Sequence, residues 1–520
     1  MSEGSRWIAF CTFVALALRL FRLGHQSFHI DELISIESAG YAVGATFWKG
    51  LLHEIHGPLT SALLHGWMRL GETETWLRLL YVVPSVLTVP LFYRLGRGLA
   101  GDATGRIASF AVAISPFQVW YGQEVRNYAW LLLFVTGALI AFVRIWDGRG
   151  DRSTWIALTS LLALSLLTNY STVFLIVALT VLVLARKDRA VIVRWFPTTV
   201  ALALLFLPWF LDWYTRVDAE RFFVDRPRRF GVPLRNPGEF TLSGVPYLFW
   251  VFAFGYSLGP SAAELHLDQS LAVLREHGPV LVAGALAVGF ALVVGLREAA
   301  HPRRTTFLAV TFLVPLALTV ILSIRDVKAF NVRYAMVAYP PFVMLLALGW
   351  SRRGLARNVS ALAALALAIL SLASHYFNTR YAKEDMRSAA RLILEREQPG
   401  DTVVVIDNLQ PFRYYFARRG NGRAPLLHRH KRFLRTQEDL AAHVEDAMRS
   451  EGREWLVLSR WWEVAPKDVL YRAFDARLER RGTWIFPGVD VTLYERATSR
   501  RLGAANPPDS VRTDELPAAP

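Results

Sequence analysis

Cysteine is almost absent from this sequence. Cys11 is the only one in 520 residues, so intramolecular disulfides and cysteine-based zinc sites are excluded, while the redox compartment is left undecided. The HExxH spacing of zinc proteases is missing too, since in His53-Glu54-Ile55-His56 the second histidine comes one residue too early. The C-terminal third contains neither a Gly-rich phosphate loop nor a nucleophile elbow. The first apolar run, 7–23, follows Arg6 without a small-residue cleavage site, so it reads as a retained signal anchor. Acid is in short supply: 43 Asp and Glu stand against 58 Lys and Arg, a net charge of +15. The basic residues lie in short loops between apolar blocks rather than on one amphipathic face or in one tail. That distribution points away from nucleic acid and towards topology signals and an anionic membrane partner.

What the chain has in abundance is apolar residues, 53% of the total with 17 Trp, gathered in long blocks. A bilayer core needs about 20 apolar residues per helix. Blocks of that kind fall at 7–23, 76–93, 105–120, 128–146, 154–168, 170–185, 193–211, 279–296, 305–323, 334–350 and 357–375. With the N-terminus in the cytoplasm, every short inside loop is basic: Arg94, Arg97 and Arg106; Arg144, Arg149 and Arg152; Arg186, Lys187, Arg189 and Arg194; Arg297, Arg303 and Arg304; Arg352, Arg353 and Arg357. The positive-inside rule is then satisfied. A further apolar run at 245–258 is short for a span and reads as interfacial or re-entrant. The expectation is an α-helical polytopic membrane protein of about eleven transmembrane helices over 1–375, lodged in the cytoplasmic membrane. An extracytoplasmic α/β domain over 376–500 and a disordered tail over 501–520 follow. In that domain 402–406 reads as a buried strand, 437–449 and 467–478 as helices, and 455–458, 484–485 and 489–494 as strands.

Chemistry-bearing residues collect at the outer rim. Asp31 and Glu32 follow the first span, where a carboxylate is costly unless it faces water, a partner or a reacting group. The plain alternative is the solvated start of a loop. His29, Asp31, Glu54 and His56 include the residue types for a divalent metal, against which stands a polar juxtamembrane helix. Between spans three and four, Tyr121-Gly122-Gln123-Glu124-Val125-Arg126-Asn127-Tyr128 crowds hydrogen-bonding side chains into a turn. It reads either as a wall of the Asp31 pocket or as a satisfied Glu124–Arg126 pair. Arg216, Arg221, Arg226, Arg228, Arg229 and Arg235 lie in a loop expected outside, against the topology rule; an anionic ligand or a disordered solvated loop accounts for them. Lys328 and Arg333 form a second outside basic cluster near Tyr334 and the Pro340-Pro341 kink, where Arg333 meets a lipid phosphate or snorkels.

Together, Asp31-Glu32, His56-Gly57-Pro58-Leu59, Arg78-Leu79 with Pro84-Ser85, the 121–128 stretch, Arg333-Tyr334 with Pro340-Pro341, and Tyr381-Ala382-Lys383-Glu384-Asp385-Met386-Arg387 resemble the family 39 glycosyltransferases of the GT-C superfamily. That group includes protein O-mannosyltransferases and bacterial lipid A aminoarabinose transferases. The likeness covers most of 1–390, and Gly57 departs from the His-Pro-Pro often found there. The resemblance implies an inverting transferase that moves a sugar from a polyprenyl-phosphate carrier to a lipid, protein or glycan acceptor on the outer face of the cytoplasmic membrane. It further implies Asp31 as catalytic base or acceptor-orienting carboxylate with Glu32 beside it. Arg126, Lys328 and Arg333 suit the donor phosphate, while His56, Tyr121, Gln123, Glu124 and Tyr128 suit substrate contacts. No cofactor is specified, and a divalent metal is left open. The rival readings are a transporter or flippase of an anionic or polyprenyl-linked lipid, and a non-catalytic scaffold. The gathering of ionisable groups at the rim rather than the midplane weighs against transport.

Overall fold

The computed structural model of the chain describes residues 2–40, 57–220, 243–261, 264–265, 271–298, 302–324, 330–406, 408–420, 445, 452–461, 466–496 and 511–512. Helices dominate the first three-quarters, because a segment in lipid must bond its backbone groups within itself. In chain order they are α1 (Glu3–Leu20), α2 (Ile30–Gly40), α3 (Pro58–Met68), α4 (Glu74–Ala100), α5 (Asp102–Ala113), α6 (Pro116–Gly122), α7 (Tyr128–Trp146), α8 (Arg152–Leu166), α9 (Thr172–Arg186), α10 (Arg189–Glu220), α11 (Gly244–Phe254), α12 (Leu271–Glu276), α13 (Gly278–Glu298), α14 (Pro302–Ile324), α15 (Tyr339–Trp350) and α16 (Leu355–Phe377). A 3-10 turn, Val332–Ala338, leads into α15. Local signals set several starts: Ser2 caps α1 by accepting from the Ser5 amide at 3.2 Å, and Thr73 caps α4 by accepting from the Trp76 amide at 3.2 Å.

Among the described residues, seven helical segments are long and apolar enough to cross a membrane: Glu74–Ala100, Tyr128–Trp146, Arg189–Leu211, Gly278–Glu298, Arg303–Ile324, Val332–Trp350 and Leu355–Phe377. The other four expected spans take different forms. Helix α1 carries Glu3, Arg6 and Arg19. The 105–120 stretch is broken at Ser115-Pro116 into α5 and α6, and α8 and α9 have 15 residues each. Helix α11, with 11 residues, is about 16 Å long and cannot cross a core of about 30 Å. Its Leu248, Val251 and Phe252 are buried inside the bundle.

The bundle has two chemically distinct ends. At one, the basic loops are tied together: Arg106 bonds Glu3 at 2.6 Å, Arg304 donates to the Leu99 carbonyl, Trp146 Nε1 donates to the Arg303 carbonyl at 3.3 Å, and Arg357 bonds Glu298 at 2.6 Å. The opposite end brings together the close of α1 and α16 with the beginnings of α4, α7 and the 332–338 turn. Nearer the basic end, two glycines let α13 and α15 touch: a Cβ on Gly295 would meet the Leu345 carbonyl oxygen at 2.0 Å, and one on Gly349 would meet that of Ala291 at 2.2 Å.

Past α16 come α17 (Met386–Arg396), β1 (Thr402–Ile406), α18 (Leu409–Arg419), β2 (Glu454–Ser459), α19 (Lys467–Asp475), β3 (Leu478–Phe486), β4 (Val489–Arg496) and β5 (Val511–Arg512). The sheet order is β1-β2-β4-β3-β5, with β1 parallel to β2 and the β2–β4 and β4–β3 pairs antiparallel. Strands β1 and β2 are buried on both faces, as their unbroken apolar runs require. Val511 and Arg512, in the stretch expected to be a disordered tail, pair with Trp484 and Ile485. The helix expected over 437–449 lies outside the described residues apart from Glu445. One apolar core unites Phe28, Leu33 and Ile36 of the α2 region, Leu77 and Tyr81 of α4, and Met386, Val403, Phe412 and Trp455 of the C-terminal domain.

Candidate functional site

Asp31 and Glu32 occupy the first turn of α2. Successive helical residues point about 100° apart, so the two carboxylates face different surroundings. Glu32 is wholly buried. Its Oε1 accepts from Arg78 Nε at 3.0 Å and the Val125 amide at 3.1 Å; its Oε2 accepts from Arg78 Nη2 at 3.0 Å, the His29 amide at 3.0 Å and Lys383 Nζ at 2.9 Å. Burial works against its charge, but Arg78 and Lys383 outweigh that and hold the carboxyl far below its usual range. Arg78 spends its remaining donors on the carbonyls of Leu23, Gln26 and Ser27 at 2.8–3.1 Å. Glu32 is thereby joined to α4, to the 121–128 stretch and to the segment after α16.

Asp31 keeps contact with solvent, its side chain 22% exposed. The carboxylate pairs with Arg333, while Arg126 Nη1 donates to the Asp31 carbonyl at 3.0 Å and to Ser35 Oγ at 3.1 Å. Burial again disfavours the charged form, but Arg333, then His29 and Arg126, more than compensate and keep Asp31 ionised. Residues separated by about three hundred positions are thus neighbours, because α2, the start of α7 and the turn before α15 meet at one end of the bundle. Asn331 orders that turn by accepting from the Arg333 amide at 3.0 Å.

The 121–128 stretch divides its side chains between two sides. Tyr121 and Tyr128 are buried with rings edge-to-face at 4.8 Å, and the Tyr121 hydroxyl lies 2.8 Å from that of Tyr256. Arg126 stacks over Tyr128, 5.8 Å from the ring centroid. Gln123 faces the other way: its Nε2 donates to the carbonyls of Arg19 and Phe21 at 2.9 Å, and its Oε1 lies 3.0 Å from His375 Nε2. Glu124 pairs with Lys383 at 3.8 Å rather than with Arg126, the partner considered from sequence. Beside Lys383 opens a cleft with about 370 Å³ of empty space, lined by Arg22, Gln26, Trp120, Gln123 and His375 among others; Asp31 and Arg333 do not line it.

Lys328, Glu54 and His56, and the arginine-rich stretch 221–242, lie outside the described residues. Among the described residues no group of three or more His, Cys, Asp or Glu could hold a metal ion. The hydrogen bond between His29 and Asp31 runs from the Asp31 amide, which donates to His29 Nδ1 at 3.2 Å. The residue after His56 has a steric reason to be glycine: a Cβ on Gly57 would meet the Leu167 carbonyl oxygen at 2.1 Å. Sequence reading quoted Arg78 and Lys383 within motifs without giving them a role. It missed Arg19 entirely, although a charge inside an apolar helix is a signal in itself. Arg19 is fully buried and donates to Ser85 Oγ at 2.7 Å and to the carbonyls of Ala15, Val112 and Ala113 at 2.9–3.1 Å.

Residues 55–213 match the family described as dolichyl-phosphate-mannose-protein mannosyltransferase. Among curated proteins no sequence matches the chain. Two solved structures of ArnT from Cupriavidus metallidurans superpose along almost the whole molecule, at 13% identity, covering 95% of this chain and 98% of ArnT. The TM-score is 0.56 for the apo state and 0.55 for the form bound to undecaprenyl phosphate. The chain thus shares the fold of ArnT along nearly its whole length, and residues 55–213 within that fold are similar to the dolichyl-phosphate-mannose-protein mannosyltransferase family.

Proposed function

We propose that the protein transfers a sugar, with inversion, from a polyprenyl-phosphate carrier to an acceptor hydroxyl at the outer face of the cytoplasmic membrane. The observation that carries this reading is one solvent-accessible carboxylate, Asp31, paired with the Arg333 guanidinium, with a second guanidinium, Arg126, held beside it by the Asp31 backbone carbonyl, at one end of an apolar bundle. Inverting transfer needs both parts. The acceptor oxygen attacks the anomeric carbon as the carbon–phosphate oxygen bond breaks, one carboxylate orients or takes the hydroxyl proton, and cations stabilise the departing phosphate. The lipid phosphate carried by the ArnT neighbour fits the same chemistry.

Asp31 paired to Arg333 is a weak base. A donor phosphate that draws Arg333 to itself removes that counter-ion, raises the basicity of Asp31 and frees it to face the acceptor. Substrate binding then creates the base, and without the donor the carboxylate stays masked. Glu32, with both oxygens engaged by buried donors, is the anchor that fixes α2 rather than a second base. The C-terminal domain lies outside the membrane with Asp31, and Tyr121 and Tyr128 shape the wall behind Arg126. Which sugar moves is set by contacts other than these.

The test is Asp31→Asn assayed for sugar transfer from a polyprenyl-phosphate donor in liposomes. A fall of roughly a hundredfold or more is expected, the scale of general acid–base assistance, with the protein still folded. Unchanged turnover would remove Asp31 from the reaction. Cells lacking the protein should accumulate a polyprenyl-phosphate sugar detectable by mass spectrometry of membrane lipids.

A further inference from the structure

The reaction above makes no use of the cleft beside Lys383. It lies where the end of α1 meets the end of α16: the Tyr376 hydroxyl donates to the Leu18 carbonyl, and the Phe21 ring stands edge-on to that of Tyr376 at 5.0 Å. Phe21 and Phe377 are exposed beside it. The two helices continue this apolar character, with Phe13 and Leu20 exposed on α1 and Ile369 and Leu370 on α16. Surfaces of that kind belong against acyl chains. The volume of about 370 Å³ is at the low end for a ligand cleft.

Among the described residues no Asp or Glu lines the cleft. Arg78 and Lys383 in its wall are matched by Glu32 and Glu124, but Arg22 has no carboxylate partner among the described residues. Two of its five N–H groups are spent, one on the Tyr376 carbonyl and one on His25 Nε2. The guanidinium sits over the Phe377 ring, 5.4 Å from the centroid. His25 supplies another donor. Burial, then Arg22 and Arg387, hold its ring below the ordinary range, and a neutral ring that accepts at Nε2 carries its hydrogen on Nδ1.

The wall also contains an acceptor. Gln123 Nε2 donates to the carbonyls of Arg19 and Phe21, so its Oε1 accepts from His375 Nε2. In the neutral ring His375 Nδ1 is then a lone pair, and in a side chain 8% exposed it has no hydrogen-bond partner. A buried acceptor left in that state is costly. The cleft therefore offers unspent donors and charge from Arg22 and His25, and an unmet acceptor from His375.

We propose that this cleft seats the head group of an anionic phospholipid bearing a hydroxyl, of the phosphatidylglycerol type. The phosphodiester lies against Arg22 and His25, a head-group hydroxyl donates to His375 Nδ1, and the acyl chains run past Phe21 and Phe377. Basic pockets between membrane helices hold lipid head groups through the same chemistry. A soluble glycerol phosphate shares the polar groups but has nothing to lay against the two rings. Lys383 Nζ bonds Glu32 at 2.9 Å, so a filled cleft steadies the anchor of α2. Asp31 and Arg333 do not line the cleft, and the site does not depend on the transferase reading.

The experiment measures binding to delipidated full-length protein in detergent by native mass spectrometry, with the ligand-free melting temperature of each variant. The probes are phosphatidylglycerol, phosphatidylmethanol, which has the charge without the hydroxyl, phosphatidylcholine and glycerol phosphate. Wild type should prefer phosphatidylglycerol to phosphatidylmethanol by about threefold or more, the scale of one hydrogen bond, and bind phosphatidylcholine more weakly than either. Arg22→Gln makes the same demand on the backbone at φ 54° and should lose about tenfold in affinity for phosphatidylglycerol. Arg22→Lys should recover part of it. In His375→Phe the two anionic lipids should bind alike. Equal wild-type affinity for these two lipids overturns the seated head group, leaving only attraction of charge to the rim. Unchanged affinity in Arg22→Gln, or a preference that survives in His375→Phe, also overturns it. Glycerol phosphate binding as tightly as phosphatidylglycerol, with the same loss in Arg22→Gln, overturns the lipid and makes a soluble phosphate ester the occupant. Should Arg22→Gln or His375→Phe melt far below wild type, the wild-type preference between the two anionic lipids decides the matter without them.

Discussion

At Asp31 and Glu32 a dipeptide is split into two jobs by one hundred degrees of helix. Asp31 meets solvent and a movable partner; Glu32 meets only buried donors. Removing the Glu32 charge takes the ion-pair partner from buried Arg78 and leaves Lys383 to Glu124 at 3.8 Å, so Glu32→Gln should cost about 3–5 kcal/mol of stability, read as a lower melting temperature in detergent. Asp31→Asn should lower the melting temperature by less, because its pair with Arg333 is partly exposed. Both carboxyls are held below their ordinary range in the folded state. Their contribution is therefore complete above the unfolded carboxylate range near pH 4 and is lost as pH falls towards their depressed values. Acid titration of the melting temperature should show this loss, with a smaller part of it remaining in Glu32→Gln. Asp31 stood out as a candidate in the sequence because charge at a membrane exit is costly. The difference between Asp31 and Glu32 was not legible there, since it depends on Arg78 and Lys383 arriving from 46 and 351 positions away.

Among the elements, the apolar blocks that became α4, α7, α13, α14, α15 and α16 were readable from hydropathy alone, with ends displaced by a few residues. What hydropathy hid was breakage. The 105–120 block is mostly apolar, yet Ser115 and Pro116 divide it, and the carbonyls of Val112 and Ala113 exposed by the break are taken by Arg19. A lysine cannot reproduce that fork, so Arg19→Lys should lower the melting temperature despite conserving charge. The α13–α15 crossing was equally hidden, because it depends on which glycines face each other. Gly349→Val should force these helices apart and destabilise the bundle by 1–3 kcal/mol or more, on the order of other overpacked contacts. Gly98→Ala, where a Cβ meets nothing within 4 Å, is the control expected to be silent.

For the molecule as a whole, the two ends of the bundle make a topological prediction. Glu72, partly exposed at the Asp31 end, and Arg149, 66% exposed at the other, can each be changed to Cys. Cys11 is fully buried and should give little background. A membrane-impermeant thiol reagent should label Glu72→Cys in intact cells and Arg149→Cys only after lysis; the reverse would invert the proposed orientation. The existence of a C-terminal sheet was legible from its apolar strand runs. Its union with the bundle was not, because Phe28 and Leu33 looked like ordinary loop and helix residues until Met386 and Phe412 were found packed in the same core. That union has a mechanical consequence. Swinging the C-terminal domain away would return at least these four side chains to water, at on the order of 10 kcal/mol, a state visited about once in ten million. The domain is therefore a lintel and not a door: on the proposed reading, a lipid-borne donor comes to Asp31 sideways between helices, under a roof that stays in place.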